Sequence, residues 1–111
     1  MANVFTNHGL AVTNTETDIY QCPANKTAVV ITLRITNIDG TNQDQITAKV
    51  TNSSNTNIAH IASTVQVPAD SSVELAGTSK IVLEAQDKIR LTGVAASGDL
   101  EGFLSVLEID N

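Results

Sequence analysis

The stretch YQCPANKTAVVITLRITNIDG, residues 20–40, decides the fold. Pro23 marks a turn, and from Thr27 to Ile38 apolar and polar side chains alternate until Asp39-Gly40 ends the pattern. An alternation of period two predicts a half-buried strand of an antiparallel sheet. The side chains that we expect to share its inward face are Val29, Ile31, Leu33 and Ile35.

The same alternation recurs in short segments throughout the rest of the chain. It is seen in residues 45–51, 64–67, 80–85, 87–95 and 100–109, which turn residues separate, and no segment shows the 3.6-residue apolar stripe of a helix. The sequence therefore predicts an all-β protein, an antiparallel β-sandwich of jelly-roll or immunoglobulin-like type with little or no helix. With 111 residues we expect a single domain, in which residues 1–13 form an N-terminal arm or a first strand and residues 14–111 form the sandwich.

The composition excludes several classes of partner. The net charge of -6 and the pI of about 4.5 would repel a phosphate backbone or an anionic membrane, so we expect neither nucleic acid nor membrane as a partner. Aromatic residues make up 3% of the chain and Trp is absent. The core must therefore be aliphatic, and the flat rings that usually bind sugars are scarce.

Residues that could carry chemistry are few and widely spaced. His8, His60 and Cys22 lack the spacing of a zinc site or of a Cys–His nucleophilic pair. Asp39 and Asp44, with Asn42 between them, offer oxygens to a hard cation but not the spacing of a calcium loop. We expect no catalytic residue, no cofactor and no metal, and hence no enzyme. The start of the chain does not read as a secretion signal, which, with the single cysteine, favours synthesis in a cytosol.

The last predicted strand is apolar on both faces. Phe103, Leu107 and Ile109 alternate with Leu104 and Val106, and one small domain cannot easily cover both sides of a strand. An exposed apolar patch usually marks a contact surface. We therefore expect the outer face, which we take to include Leu104, to meet another subunit. The predicted subunit interface comprises Phe103, Leu104, Val106 and Leu107.

Four segments, taken in chain order, resemble small all-β virion proteins of tailed bacteriophages. They are YQCPANKTA at residues 20–28, VPADSS at 67–72, LEAQDKI at 83–89 and VLE at 106–108. The resemblance covers most of the chain after Asp18 and consists of turns and strands. Relatives usually have glycine in the turn where this sequence has Gln86.

The resemblance implies a non-enzymatic virion component, made in the cytoplasm of a bacterial host. Within that group we favour a capsid decoration (cement) protein, a homo-oligomer with three copies favoured, which binds the major capsid protein and stabilises the phage head. The N-terminal segment is then expected either to dock on the shell by strand addition or to be the first strand of the sandwich. The alternatives are a neck, tail or fibre-adaptor component, and a carbohydrate- or host-surface-binding module. The predicted docking residues are Val4, Phe5, Leu10 and Val12.

Overall fold

The computed structural model describes residues 3–76, 80–96 and 98–111, and these residues form nine β-strands and no helix. The strands are β1 (Asn3–Val12), β2 (Thr17–Gln21), β3 (Lys26–Asn37), β4 (Asp44–Thr51), β5 (Asn57–Val67), β6 (Ser72–Glu74), β7 (Ile81–Leu83), β8 (Lys88–Thr92) and β9 (Leu100–Asp110).

The strands form two antiparallel sheets whose order identifies the topology. One sheet, called sheet A below, has the order β1-β9-β3-β6, and β7 also pairs with β3. Sheet B has the order β2-β8-β4-β5. Because β6 pairs with residues 34–36 of β3 and β7 with residues 28–30, β6 and β7 are two parts of one interrupted edge strand. Counting them as one gives the eight-stranded double Greek key of a jelly roll. The predicted β-sandwich is confirmed, and the structure selects the jelly roll from the two topologies expected.

The core lies between the sheets and is aliphatic, apart from Tyr20 and Cys22. Alternate residues of each strand point into it, as a pleated sheet requires. Gly102 of β9 faces inward where space is tightest, because a Cβ built on it would lie 2.8 Å from Leu91 Cδ1. The largest fully buried side chains are Leu33, Ile35, Ile46, Leu83, Ile89, Leu91, Leu100, Leu104, Val12, Val30, Val67 and Val106.

Strand β3 departs from the predicted alternation at its middle. Leu33 and Ile35 are buried as expected, but in the first half of the strand Ala28 and Val30 are buried, whereas Val29 and Ile31 are half-buried. The register with β9 shifts between Val30 and Thr32, which is the mark of a β-bulge. The extra residue reverses the inward and outward positions, so the prediction for Val29 and Ile31 was wrong.

The turn at Gln86 keeps a glycine-like backbone without a glycine. Gln86 has a φ of 69°, in the left-handed region that favours glycine. Its N–H donates to the Cys22 carbonyl at 2.9 Å, and the Cys22 N–H donates to the Asp87 carbonyl at 2.8 Å. These two hydrogen bonds tie the β7–β8 turn to the end of β2 and hold the strained residue in place.

Candidate functional site: an assembly surface

The structure places two of the predicted interface residues inside the protein. Leu104 and Val106 have no exposed surface, and both belong to the core cluster. In the ladder, Leu104 lies between His8 of β1 and Leu33 of β3, and its side chain points towards sheet B. The expectation that Leu104 and Val106 face another subunit was therefore wrong, because this small chain does cover that side of β9 with its own second sheet.

The other side of β9 is the outward face of sheet A, and it carries the remaining predicted interface residues. Phe103 is 44% exposed and Leu107 is half-buried. Leu107 pairs with Phe5 of β1 on one side and with Val29 of β3 on the other, and Val29 pairs in turn with Val82 of β7. Directly opposite residues lie on the same face of a sheet, about 5 Å apart. Phe5, Leu107, Val29 and Val82 thus form one row across four strands, called the apolar row below.

The apolar row is open to solvent at both ends. Phe5 is 73% exposed and Val82 is 60% exposed, whereas Leu107 and Val29 between them are half-buried. Sequence reasoning missed Val29 and Val82, since the bulge that turns Val29 outward and the pairing of β7 with β3 leave no mark in the sequence. Phe5 and Leu107, which were predicted to serve two different contacts, are neighbours on one surface.

The outward face around the apolar row also carries an exposed ion pair. Arg34 Nε lies 3.9 Å from Glu74 Oε1. Four strands about 4.8 Å apart, with about ten residues rising about 3.3 Å each, give this face an area of roughly 600 Å². A stable interface buries about 600–1,000 Å² on each partner, so the face is large enough for one specific contact.

The structure divides the predicted N-terminal docking residues between the core and the surface. Val12 is 1% exposed, and Leu10 is half-buried against the core, because the even-numbered residues of β1 point towards sheet B. The prediction that Val12 docks on another protein was wrong for that reason, and Leu10 faces the same way, half-buried. Val4 also points towards sheet B but is 42% exposed near the start of the strand, and Phe5 lies on the outward face; both remain available. Residues 3–12 form a strand of sheet A, and Met1 and Ala2 lie outside the described residues.

A shallow hollow of about 350 Å³ lies on the same outward face. It exists because Gly9 has no side chain: a Cβ built there would meet only the Gly102 carbonyl oxygen, at 3.8 Å. The residues that line it are Gly9, Leu10, Ala11, Thr36, Glu101, Gly102 and Phe103.

The buried titratable groups of the core form a structural link between the two sheets. Tyr20 of β2 donates its hydroxyl hydrogen to Glu108 of β9 at 2.6 Å, and its ring packs against His8 with centroids 4.9 Å apart. Burial and the Glu108 carboxylate raise the pKa of Tyr20. Burial also raises the pKa of the Cys22 thiol, which is fully covered. A neutral, inaccessible thiol does not serve as a nucleophile, and His60 lies exposed on β5, in sheet B.

The loops at one pole of the sandwich gather four aspartates. Asp39, Asp44 and Asp99 line one polar hollow, and Asp70 approaches Gly40. Hydrogen bonds from the backbone of Thr41 and Asn42 lower the pKa of Asp39.

Asp44 is 6% exposed, and it accepts hydrogen bonds from the N–H groups of Gln45 and Val94 at 2.7 and 2.9 Å. The carboxylates of Asp39 and Asp44 thus hold loops. No group of three metal-ligating side chains of His, Cys, Asp or Glu type occurs among the described residues.

The outward face of sheet B carries a network of ion pairs. Glu16 Oε1 lies 2.9 Å from Arg90 Nη1, and Glu16 Oε2 lies 2.6 Å from Lys49 Nζ. Arg90 Nε is 2.7 Å from Asp18 Oδ1, as a close ion pair without hydrogen-bond alignment. Lys88 Nζ completes the network 3.5 Å from Asp18 Oδ2. These ion pairs make the part of this face around β2, β8 and β4 polar, unlike the apolar row of sheet A.

Comparisons with known proteins identify the fold and no family. No family model and no curated protein matches the sequence. Among solved structures, a Bacillus endospore appendage protein of a family of disulfide-linked pili matches with a TM-score of 0.58 at 16% identity, over 98% of this chain and 87% of that one. The capsid of Helicobacter pylori bacteriophage KHP30 matches with a TM-score of 0.52 at 10% identity, over 100% of this chain and 95% of that one. The protein therefore shares its fold with structural subunits of two kinds. No described helix is long and apolar enough to cross a membrane.

Proposed function

We propose that this protein is a virion structural protein of the capsid decoration type, which binds an assembled phage shell through the outward face of sheet A. The apolar row carries the proposal, because a contiguous apolar patch that leaves Phe5 and Val82 mostly in water usually marks a contact surface. A subunit that binds only the assembled shell stabilises that state by mass action.

Two further observations support a structural role. The fold is shared with a phage capsid structure, although at 10% identity that likeness concerns the fold. Buried titratable groups hold sheets and loops together, as Tyr20 with Glu108 and Asp44 with Val94 illustrate.

The similarity to a pilus protein does not extend to its linkage. Those pili are disulfide-linked, whereas the one cysteine of this chain, Cys22, is fully buried. The oligomer number expected from the resemblance was three, whereas the uncharged edge of β1 favours an even number.

Copy number in purified particles tests the proposal. A decoration protein is expected in numbers comparable to those of the major capsid protein, so quantitative mass spectrometry of the virion should find many copies per particle. Only a few copies would place the chain in the neck or tail. Specific binding of the isolated chain to glycans, without binding to shells, would support the host-surface alternative.

Binding of the purified protein to shells that lack it tests the surface. Val82→Glu puts a charge at the exposed end of the apolar row and should weaken shell binding at least tenfold, because a desolvated contact would then contain an unpaired carboxylate. The matched control is Gln66→Glu, an equally simple change on exposed β5 of sheet B. Equal binding by both variants would show that the outward face of sheet A is not the contact.

A further inference from the structure

Strand β1 is an edge of sheet A whose sequence lacks the usual protection of an edge. Its ten residues, NVFTNHGLAV, include no charged side chain and no proline. Apart from β5, every other described strand of five or more residues carries at least one Asp, Glu, Lys or Arg. Proteins that work as monomers normally protect an edge with charges, proline or bulges, because its free N–H and C=O groups pair with other strands.

The other uncharged edge, β5, is protected by its shape. Its register with β4 shifts at three places, and Thr64 has a φ of 47°. Bulges of this kind twist an edge away from further pairing. Strand β1, in contrast, lies opposite β9 from Asn3–Ile109 to Val12–Leu100 without a shift. It is therefore the straight, uncharged edge that this fold offers.

We propose that β1 pairs antiparallel with β1 of a second copy about a twofold axis, with Asn7 opposite Asn7. The net charge of -6 makes two copies repel each other, and approach through an uncharged strand keeps that repulsion lowest. A twofold contact is self-complementary and closes after two copies. In this pairing, the N–H and C=O groups on the free edge of each β1 bond to those of the other copy.

The register follows from the two faces of β1. Odd-numbered residues of β1 point to the outward face and even-numbered ones towards sheet B, and directly opposite residues must share a face. On a twofold axis, one residue of β1 must therefore lie opposite the same residue of the second copy. If that residue is Asn7, near the middle of the strand, residues 3–11 of each copy pair with one another. This register puts Phe5 opposite Gly9 of the second copy.

The surface beside Gly9 is shaped to receive that ring. Gly9 has open space above it and borders the hollow of about 350 Å³, and Phe5 is 73% exposed in one copy. An aromatic side chain that covers a glycine on the adjacent strand is a known stabilising arrangement in sheets. The twofold axis repeats the contact, so two rings are covered in each dimer.

The pairing would also extend the apolar row. Because the twofold axis is perpendicular to the sheet, both copies present the outward face of sheet A on the same side. Phe5 would then connect the row of its own copy to Phe103 of the second copy, which lies beside Gly9 in the register. The inference does not depend on binding to a shell, and it implies an even number of subunits.

Single cysteines test the register. Asn7→Cys should form an intermolecular disulfide rapidly under mild oxidation, since directly opposite Cα atoms in a sheet lie about 4.5–5.5 Å apart, within disulfide range. Ser63→Cys, on the exposed β5 edge, is the matched control and should stay monomeric, as should the wild type with its buried Cys22. Equal cross-linking at Ser63, or faster cross-linking of His8→Cys than of Asn7→Cys, would overturn the proposal.

Sedimentation velocity tests the pairing without oxidation. The wild type should be dimeric, and Phe5→Ser should raise the dissociation constant about 100-fold. The dimer contains two equivalent Phe5 contacts, and losing each one should weaken affinity about tenfold. Val82→Ser removes a similarly exposed apolar side chain from the same face, far from β1, and should leave the dimer unchanged. A wild type that stays monomeric, or equal effects of the two variants, would refute β1 pairing. Val82→Glu still reports on shell binding, so the two proposals fail separately.

Discussion

Tyr20 and Glu108, which are 88 residues apart in sequence, join the two sheets through one short hydrogen bond of 2.6 Å. Tyr20 is 5% exposed, so its hydroxyl has little access to water as an alternative partner. Tyr20→Phe keeps the ring and removes the donor, and a hydrogen bond to a charged group contributes about 1.5–3 kcal/mol. We expect the free energy of unfolding, measured with urea at pH 7, to fall by about that amount.

The same pair makes the protein sensitive to alkali. Because the pKa of Tyr20 is raised above its ordinary value of 10.0, the folded state keeps its proton where the unfolded chain releases it. This contribution is complete below pH 10 and is lost as the pH rises further. Because the pKa of Cys22 is also raised, the free energy of unfolding should begin to fall near pH 9. Urea midpoints between pH 8 and 11 should fall less steeply in Tyr20→Phe than in the wild type, and equal slopes would contradict the assignment.

Neighbouring residues of β9 should respond very differently to truncation. Leu104→Ala removes a fully buried side chain and should reduce the free energy of unfolding by about 2–5 kcal/mol. Phe103→Ala removes an outward ring at 44% exposure, and the isolated subunit should lose less than about 1 kcal/mol. Thermal or urea unfolding of both variants decides the point, and similar losses would mean that Leu104 is not buried by its own chain.

Two glycines of sheet A provide a second matched pair. A Cβ at Gly102 would lie 2.8 Å from Leu91 Cδ1 and 3.2 Å from Ile19 Cδ1, so Gly102→Ala should cost about 1–3 kcal/mol by overpacking. Gly9→Ala meets open space and should leave stability within about 0.5 kcal/mol of the wild type. Calorimetric melting temperatures would show the difference, and an equally destabilised Gly9→Ala would contradict the space seen above that residue.

Arg90 holds two carboxylates on sheet B. Its side chain is 17% exposed, whereas Glu16 and Asp18 are 29% and 38% exposed, so solvent screens the pairs in part. We expect Arg90→Ala to cost about 1–2 kcal/mol, and the difference from the wild type to shrink in 1 M salt. Lys80→Ala, at an exposed lysine, serves as the control and should have little effect. A loss that salt does not reduce would point to packing of the Arg90 stem instead.

The sequence predicted the sheet class well because alternation and turn residues act locally. The alternation is clear in residues 45–51 and 100–109, and Ile46 and Ala48 are buried as the alternation predicts. The faces of β3 could not be predicted, since the bulge at Ile31 arises from pairing with β9, far along the chain. Leu104 was misplaced for a related reason: the pattern shows two apolar faces, and only the strand order shows which one the second sheet covers.

The candidate surface was predicted only in pieces. Phe5 and Leu107 were chosen for their hydrophobicity, yet their adjacency depends on the β1–β9 register. Val82 offered no signal, because a three-residue run such as IVL is equally common in a core. The edge position of β1 depends on the order of the whole sheet, whereas its lack of charge is visible in the sequence alone.

The four aspartates around one pole gather negative charge at that end of the molecule. Asp39, Asp44, Asp70 and Asp99 belong to that pole, whereas Lys26 near the opposite pole balances Asp110. At close range, negative charge at the tip of a body 47 Å long repels other anionic groups. Contacts with a large assembly are then disfavoured tip-first wherever that assembly is negatively charged.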